Sequence, residues 1–319
     1  MKKLFVSVLA VAALASCAKE ELVSLNQEAI QFGGPFVENS TRAAAATDPS
    51  YSTTGKGVAL SYFNVYGAVD GVNIFNGDRV EKTTDYGVAW NITTNNKQYW
   101  IDGASYIFDA VVDANSVTID TNTGLPTSLN YVVANQKDML YKRVTTTGKP
   151  ADGLVAFGFT HLLSKVKFSV ENTTTADASN YRFNLTEIKL LNVYPSGVYA
   201  VPAGTWTTAA ASEYVLEDLI VNSGATQYHS KEVLLIPGSA VGVSVKGEIQ
   251  ATANGTDWKK VSVVEKTFEN ALGKTDDVAN TLVAAQAYHF AVKLGIGEEI
   301  KFTATAMPEW TENTPNTLQ

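Results

Sequence analysis

Cysteine and histidine are scarce in this chain. It has 319 residues but one cysteine, Cys17, and three histidines, His161, His229 and His289. One thiol cannot form an internal disulfide, so core packing has to stabilise the fold. No histidine has a second one four residues away, which excludes the two-histidine helical zinc motif. Beyond the N-terminus, no apolar run is long enough for a transmembrane helix.

Signatures of catalysis are also missing. There is no Gly-x-Ser-x-Gly elbow and no phosphate-binding glycine loop. The pairs Asp276-Asp277 and Glu298-Glu299 lie in polar stretches typical of solvated turns, and Asp120–Gly124 lacks the bidentate glutamate of an EF-hand. A net charge of -8 and a pI near 5.0 disfavour nucleic acid as a partner. We therefore predict no catalytic residue, no metal and no cofactor.

The first residues carry an export signal. A basic start, Met1-Lys2-Lys3, precedes a short apolar run at 4–15 and the tetrapeptide Leu14-Ala15-Ser16-Cys17. This is the pattern of a lipoprotein signal peptide, in which Cys17 receives a lipid and the bond before it is cut. The sequence thus predicts a signal peptide at 1–16 and a lipid on Cys17. A plain export signal with an incidental cysteine is the alternative.

A second processing site follows in the tether. Ile30, Phe32 and Phe36 lie in a weakly strand-like stretch, and after it Arg42 and Ala43 stand among small residues. An exposed arginine flanked by small residues suits a trypsin-like protease. We predict a lipidated pro-segment at 17–42 that is cut between Arg42 and Ala43. An ordinary flexible tether would have the same composition.

The rest of the chain has the pattern of β-structure. Hydrophobic residues make up 45% and charged residues 18% of the sequence, enough for a sizeable core. Short segments with two-residue periodicity alternate with turn signals such as Asp70-Gly71, Asn76-Gly77-Asp78 and Asn254-Gly255. The prediction is an all-β chain of sandwich or barrel domains. Predicted strands lie at 58–66, 88–92, 106–112, 117–119, 129–134, 183–194, 232–236, 241–251, 259–268, 288–294 and 300–306.

The central region carries a more specific pattern. The segment Asp138-Met139-Leu140-Tyr141 is followed by Phe-x-His-x-Leu-Ser-Lys-Val at 159–166, and related runs occur at 234–237, 287–294 and 300–304. Together with the lipobox and the tether arginine, these runs resemble the fimbrillin family of the Bacteroidales, the type V pilins. The resemblance extends over nearly the whole chain.

The resemblance implies two transthyretin-like β-sandwich domains in tandem, at 43–170 and 171–319, behind a cleaved signal and pro-segment. It also implies a lipidated precursor at the outer membrane and an Arg-specific protease that cuts after Arg42. Loss of the strand with Ile30, Phe32 and Phe36 would open a groove, which a strand of another pilin subunit fills. The expected product is an extracellular fimbrium, with surface molecules of host or bacterial cells as candidate ligands.

Two questions stay open at this stage. Trp206, Trp258 and the tyrosines at 194, 199 and 214 could stack on sugars, so a glycan-binding surface lipoprotein is the alternative function. The tail at 311–319 has one large apolar residue, Leu318, and a central Pro315, which makes it a poor donor strand. This favours a tip or accessory subunit. Donation of the last domain strand, with Phe302, Ala304 and Ala306, is the other possibility.

Overall fold

The protein is all-β. The structure, a computed structural model, describes residues 28–33, 35–37, 60–82, 90–174, 180–216, 219–222, 229–270, 272 and 280–307. A 3-10 helix at Val133–Asn135 interrupts the strands. The strands are β1 Gln31–Phe32, β2 Phe36–Val37, β3 Tyr62–Val69, β4 Val72–Lys82, β5 Trp90–Ile92, β6 Ser105–Val112, β7 Ser116–Ile119, β8 Pro126–Val132, β9 Leu140–Thr147, β10 Leu154–Val155, β11 Gly158–His161, β12 Ser164–Asn172, β13 Tyr181–Val193, β14 Ser196–Ala200, β15 Thr205–Thr208, β16 Ser212–Val215, β17 Leu219–Asn222, β18 His229–Leu235, β19 Gly242–Ala251, β20 Lys259–Phe268, β21 Ala287–Leu294 and β22 Lys301–Met307.

The N-terminal half forms one nine-stranded sheet. Its order is β10-β1-β5-β4-β3-β6-β9-β11-β2. The alternation in β3 puts Phe63 and Val65 on the buried face, and β6, which pairs with β3 in the same sheet, adds Phe108 and Ala110. Strands with this period and one apolar face need a second layer over that face.

One predicted turn is instead a bulge within a strand. Asn76-Gly77-Asp78 lies inside β4, where the register with β3 shifts between Val65 and Tyr66. Gly77 has a φ of +80°, a backbone conformation that glycine adopts without a steric penalty. The extra residue is absorbed by the bulge, so the strand continues. Asp70-Gly71 is a turn, as expected, and joins β3 to β4.

The C-terminal half contributes most of the three smaller sheets. Their orders are β18-β12-β21-β22, β16-β13-β19-β20 with β17 also beside β13, and β15-β14-β8-β7. In the last sheet β8 pairs with β14, so strands from the two halves of the chain share one sheet. This pairing joins the halves by backbone hydrogen bonds.

Two hydrophobic cores result. One gathers buried residues between Ile30 and Phe159, and the other extends from Val111 to Ala304. Strand β12 pairs with β18 and β21, so its partners lie in the C-terminal half. We propose on this basis that the domain boundary, expected between 170 and 171, lies between β11 and β12.

A buried carboxylate lies where the first sheet meets the second core. Asp109 on β6 is fully buried and accepts hydrogen bonds from the Tyr141 hydroxyl at 2.6 Å and from Arg143 Nε and Nη2 at 2.7 and 2.6 Å. Burial and the hydrogen bond to Asp109 raise the pKa of Tyr141, so its hydroxyl stays a donor. The ring of Tyr141 lies 6.4 Å from that of Tyr199 on β14.

We predict that Arg143→Met lowers the free energy of unfolding by about 3 kcal/mol, because it leaves a buried carboxylate without its countercharge. Combining Asp109→Leu, Tyr141→Phe and Arg143→Met should recover at least half of the loss. Urea unfolding measures both effects. Arg79→Met is the control: Arg79 is 47% exposed, its contacts with Glu81 and the Tyr62 ring lie at the surface, and its loss should change stability by less than about 1 kcal/mol. An additive loss in the triple variant would contradict this account.

Candidate functional site

The segment at 28–37, called here the inserted segment, forms part of the first sheet. Its first strand, β1, pairs with β10 in parallel and with β5 antiparallel, with Phe32 opposite Trp90. Its second strand, β2, pairs in parallel with β11. Three backbone hydrogen bonds add to these ladders: Ile30 N to Gln98 O at 2.8 Å, Trp100 N to Glu28 O at 3.1 Å, and Gly33 N to Val155 O at 2.9 Å.

These pairings close the sheet on itself. The strand order begins with β10 next to β1 and ends with β11 next to β2. Only Ala156 and Phe157 separate β10 from β11, and residues 33–35 separate β1 from β2. Strands β1 and β2 therefore belong to one chain segment, and β10 and β11 belong to another. These two segments run side by side where the two ends of the strand order meet. Without the inserted segment, β5, β10 and β11 would each lose a hydrogen-bonded neighbour.

Phe32 fills an aromatic pocket in the first core. Its side chain is 2% exposed. Ring centroids of Phe63, Phe75, Phe108 and Phe157 lie 6.0, 5.8, 6.3 and 6.0 Å from its own. Aromatic pairs in such edge-to-face or offset arrangements stabilise beyond the area that they bury. Phe32 is therefore a residue of the first hydrophobic core.

Of the other two predicted residues of the segment, the structure describes the side chain of Ile30 but only the backbone of Phe36. Ile30 is buried, on the same side as Phe32, while Gln31 between them is exposed. The backbone of Phe36 pairs with Gly158, and its side chain lies outside the described residues. Val37, which was not among the predicted site residues, is buried in the first core.

The expected single strand is two short strands. Gly33-Gly34-Pro35 stands between them. Proline has no backbone N–H to donate and glycine weakens a strand, so regular pairing ends here. This tripeptide is the feature of the sequence that indicates a break between β1 and β2, which begins at Phe36. No sequence signal identified Leu154–Val155 as the strand that pairs with this segment. Parallel pairing between strands more than a hundred residues apart leaves no local pattern in the sequence.

One ion pair ties the segment to the surface. Glu28 pairs with Lys149, with side-chain exposures of 65% and 35%. An exposed pair of this kind contributes at most about 1 kcal/mol, so packing of Ile30, Phe32 and Val37 dominates the attachment. The predicted lipidation site Cys17 and the predicted cleavage site at Arg42 and Ala43 lie outside the described residues.

Two histidines that were considered for catalysis or metal binding lie beside polar side chains of the fold. Nδ1 of His161 lies 2.7 Å from an oxygen of Asp138, and Nε2 of His289 lies 2.7 Å from the Ser169 hydroxyl. Desolvation, with the nearby charge of Lys167, lowers the pKa of His289. Within the described ranges, no group of three His, Cys, Asp or Glu residues could hold a metal ion. Nor does any described helix have the length and apolarity of a membrane span.

The aromatic residues considered for glycan binding are mostly committed to packing. Tyr194, Tyr199, Trp206 and Tyr214 pack, partly buried, against the second core. Trp258 is half-buried, and the guanidinium of Arg182 covers its ring at 4.4 Å from the centroid. These contacts favour a core role over an open sugar platform.

We predict that Phe32→Ala lowers the free energy of unfolding of the uncleaved first domain by about 3 to 5 kcal/mol, because it empties the centre of a packed aromatic cluster. Gln31→Ala, at the exposed neighbouring position, should cost less than about 0.5 kcal/mol. Urea unfolding followed by tryptophan fluorescence measures both. A loss below about 1 kcal/mol for Phe32→Ala would mean that the inserted segment is only loosely attached.

Comparison with known proteins bears on the identity of this fold. A solved structure from Bacteroides uniformis, described as a cell-adhesion protein, superposes with a TM-score of 0.56 at 16% identity, covering 90% of this chain and 98% of its own. A fimbrial protein from Bacteroides vulgatus gives 0.56 at 15% identity, covering 88% and 98%. A third structure, from Bacteroides ovatus and also described as a cell-adhesion protein, gives 0.54 at 14%, covering 90% and 99%. None of the curated proteins is detectably similar to this chain.

At these identities the structures establish a shared fold. The family is established by a sequence model instead. The model of the fimbrillin-like family matches residues 41–309, which is most of the chain and begins just after the inserted segment. This protein belongs to the fimbrillin-like family.

Proposed function

We propose that the protein is a subunit of a cell-surface fimbria that assembles by protease-triggered strand exchange. Family membership supports the fimbrial role and a location at the cell surface. The observation that carries the finer proposal is the inserted segment. It completes the first sheet and fills its core, yet it precedes Arg42 in sequence. A cut after Arg42 therefore separates the segment covalently from the domain it completes.

The energetics favour refilling the vacated site. Burial of a large apolar side chain contributes about 2 kcal/mol, so Ile30, Phe32 and Val37 together account for several kcal/mol of a total stability of about 5 to 15 kcal/mol. Once the segment leaves, the aromatic pocket and the edges of β5, β10 and β11 face water. We call this site the groove. An extended strand with alternating apolar side chains satisfies both the backbone groups and the pocket.

The N-terminal processing fits the same proposal. A lipid on Cys17 would hold the precursor at the outer membrane until an Arg-specific protease acts at Arg42. Cleavage would then release the subunit from its lipid and free the inserted segment to leave the groove. The proposed partners are other pilin subunits, the protease and, before cleavage, the membrane. Molecules on host or bacterial surfaces are the proposed adhesion ligands.

The last strand offers a donor for the groove. The inserted segment contains Glu28-Ala29-Ile30-Gln31-Phe32, and the chain repeats Glu-x-Ile-x-Phe at 298–302; no other Ile-x-Phe occurs in it. In the extended strand β22, Ala304 and Ala306 lie on the same face as Phe302 and continue the apolar row. Strand β22 is also an edge strand among the described residues, so β21 is the strand whose ladder its departure would break. Its departure would also cost the contacts of Phe302 with Phe268 and Phe290 and the burial of Ala304 in the second core.

This repeat favours a self-assembling subunit over the tip assignment that the poor tail predicted. A repeating subunit needs both a groove and a donor, and the segment at 298–302 repeats the Glu-x-Ile-x-Phe spacing of the inserted segment. A tip subunit would accept a strand and have none to give. The two roles therefore differ in whether the cleaved protein polymerises with itself.

The decisive experiment starts from purified precursor carrying Cys17→Ala, which removes the predicted lipid. We expect an Arg-specific protease to cut after Arg42 first, because sites within paired strands need local unfolding before cleavage. We expect the product that begins at Ala43 to form oligomers, visible by sedimentation and electron microscopy. N-terminal sequencing of the stable product identifies the cut.

Arg42→Lys is the matched control. Trypsin should cut this variant and permit assembly, whereas an Arg-specific protease should leave it intact and monomeric. If the cleaved protein stays monomeric but binds a peptide of residues 26–38, the groove exists and the subunit is a tip. If cleavage at Arg42 leaves it monomeric and unable to bind any strand peptide, strand exchange is wrong. The glycan-binding alternative predicts that sugar binding is independent of this cut.

A further inference from the structure

A basic side chain lies at one end of the groove. Lys149 belongs to the turn between β9 and β10, and its ammonium group pairs with Glu28 at the start of the inserted segment. The lysine side chain is 35% exposed, so water covers it only in part. Because Lys149 follows Arg42 in sequence, a cut there leaves the lysine on the domain and separates its partner from it.

The turn itself holds this lysine in place. Gly148 N donates to Ala104 O at 2.8 Å, and Gly153 N donates to Pro150 O at 2.9 Å. A Cβ atom at Gly153 would approach Cε of Lys149 to 3.0 Å, so the absence of a side chain there leaves room for the lysine stem. Neither hydrogen bond involves the inserted segment. We therefore expect Lys149 to keep its position after the segment has left.

The alternation of side chains alone does not set the register of a strand in the groove. Strand β1 has two residues, and side chains on a strand point to the same face at every second position. A shift by two residues moves each side chain by about 7 Å but keeps the apolar row on the buried face. A contact at a fixed point along the strand removes this ambiguity.

The segment before β22 carries the charge as well as the apolar pattern. Glu298 precedes Phe302 by four positions, as Glu28 precedes Phe32. In its own subunit the exposed carboxylate of Glu298 accepts a long hydrogen bond, 3.4 Å, from the Thr173 hydroxyl. When Phe302 fills the pocket of Phe32 in a neighbouring subunit, Glu298 takes the place of Glu28.

The shifted registers lack this match. A shift by two residues in one direction puts Ile300 beside Lys149, and an apolar side chain offers the ammonium group no countercharge. The opposite shift puts Glu298 in the position of Ile30, which is 6% exposed. A carboxylate buried there without a partner is costly. A carboxylate therefore meets Lys149 in one register only.

We infer that Lys149 sets the register of the strand in the groove and selects strands with a carboxylate four residues before the core phenylalanine. It pairs with Glu28 in the precursor and with Glu298 of the neighbouring subunit in the fibre. This inference rests on the proposed strand exchange. An exposed ion pair changes an equilibrium constant by up to about five-fold, so Lys149 discriminates between strands while apolar packing supplies most of the affinity.

The test measures peptide binding to the Cys17→Ala protein cut after Arg42. The protein is kept dilute, with a fluorescent peptide of residues 296–308 in excess, so that the peptide displaces the cleaved segment and fills the groove. Fluorescence anisotropy gives the Kd. The native peptide should bind about five-fold more tightly than its Glu298→Lys form. Lys149→Glu in the protein should reverse this preference.

Two controls make the same changes of charge elsewhere. Glu299→Lys in the peptide alters the next position, which points to the opposite face of the strand. Lys260→Glu in the protein alters an exposed residue of β20, outside the groove. Each should change the Kd by less than about two-fold. The preference for Glu298 should shrink in about 1 M NaCl, because salt screens an exposed ion pair.

The outcomes separate this inference from strand exchange itself. If the native peptide binds but neither Glu298→Lys nor Lys149→Glu changes its affinity, the inference is wrong and strand exchange stands. The same holds if a peptide of residues 26–38 binds and that of 296–308 does not. If neither peptide binds, strand exchange fails and the inference fails with it. Lys149→Gln, which should abolish the preference, replaces Lys149→Glu if circular dichroism shows that the latter is misfolded.

Discussion

The fold of the N-terminal half depends on the packing of Phe32 among four other phenylalanine rings. This residue lies on a strand of two residues, too short to be held by its own ladder. The ring cluster supplies the stabilisation, and the ladder sets the direction in which the segment lies. A strand that is short in hydrogen bonds but rich in buried apolar surface is well suited to replacement, because any strand with an aromatic residue at the same position makes equivalent contacts.

Much of the architecture could be predicted from the sequence, because two-residue periodicity reports directly which face of a strand is buried. The prediction at 259–268 coincides with β20, and those at 288–294 and 241–251 differ from β21 and β19 by one residue. Strands β14 to β16 were missed, since Ser, Thr, Ala and Gly give them little apolar contrast, and β17 was missed because Leu219–Asn222 is a short apolar run without alternation. Asn76-Gly77-Asp78 was misinterpreted because glycine serves bulges as readily as turns.

The candidate site was predictable in part. Alternation identified Ile30 and Phe32, which the structure places in the core, but it could not identify what they contact. Their neighbours Phe63, Phe108 and Phe157 come from three distant parts of the chain. Long-range pairing of this kind is set by three-dimensional packing. The sharing of β8 and β14 by the two halves was hidden for the same reason.

The central claim is that the inserted segment is an exchangeable member of the first sheet, and the amide of Trp100 reports on it most directly. In the precursor this amide donates to the carbonyl of Glu28, whereas the amide of Leu162 donates to Met139 within the cleaved body and serves as the control. Hydrogen exchange at Trp100 should be slow in the precursor, fast in the monomer cut after Arg42, and slow again in the assembled fibre, with Leu162 slow throughout. Slow exchange at Trp100 in the cleaved monomer, after the segment has been removed, would contradict the account.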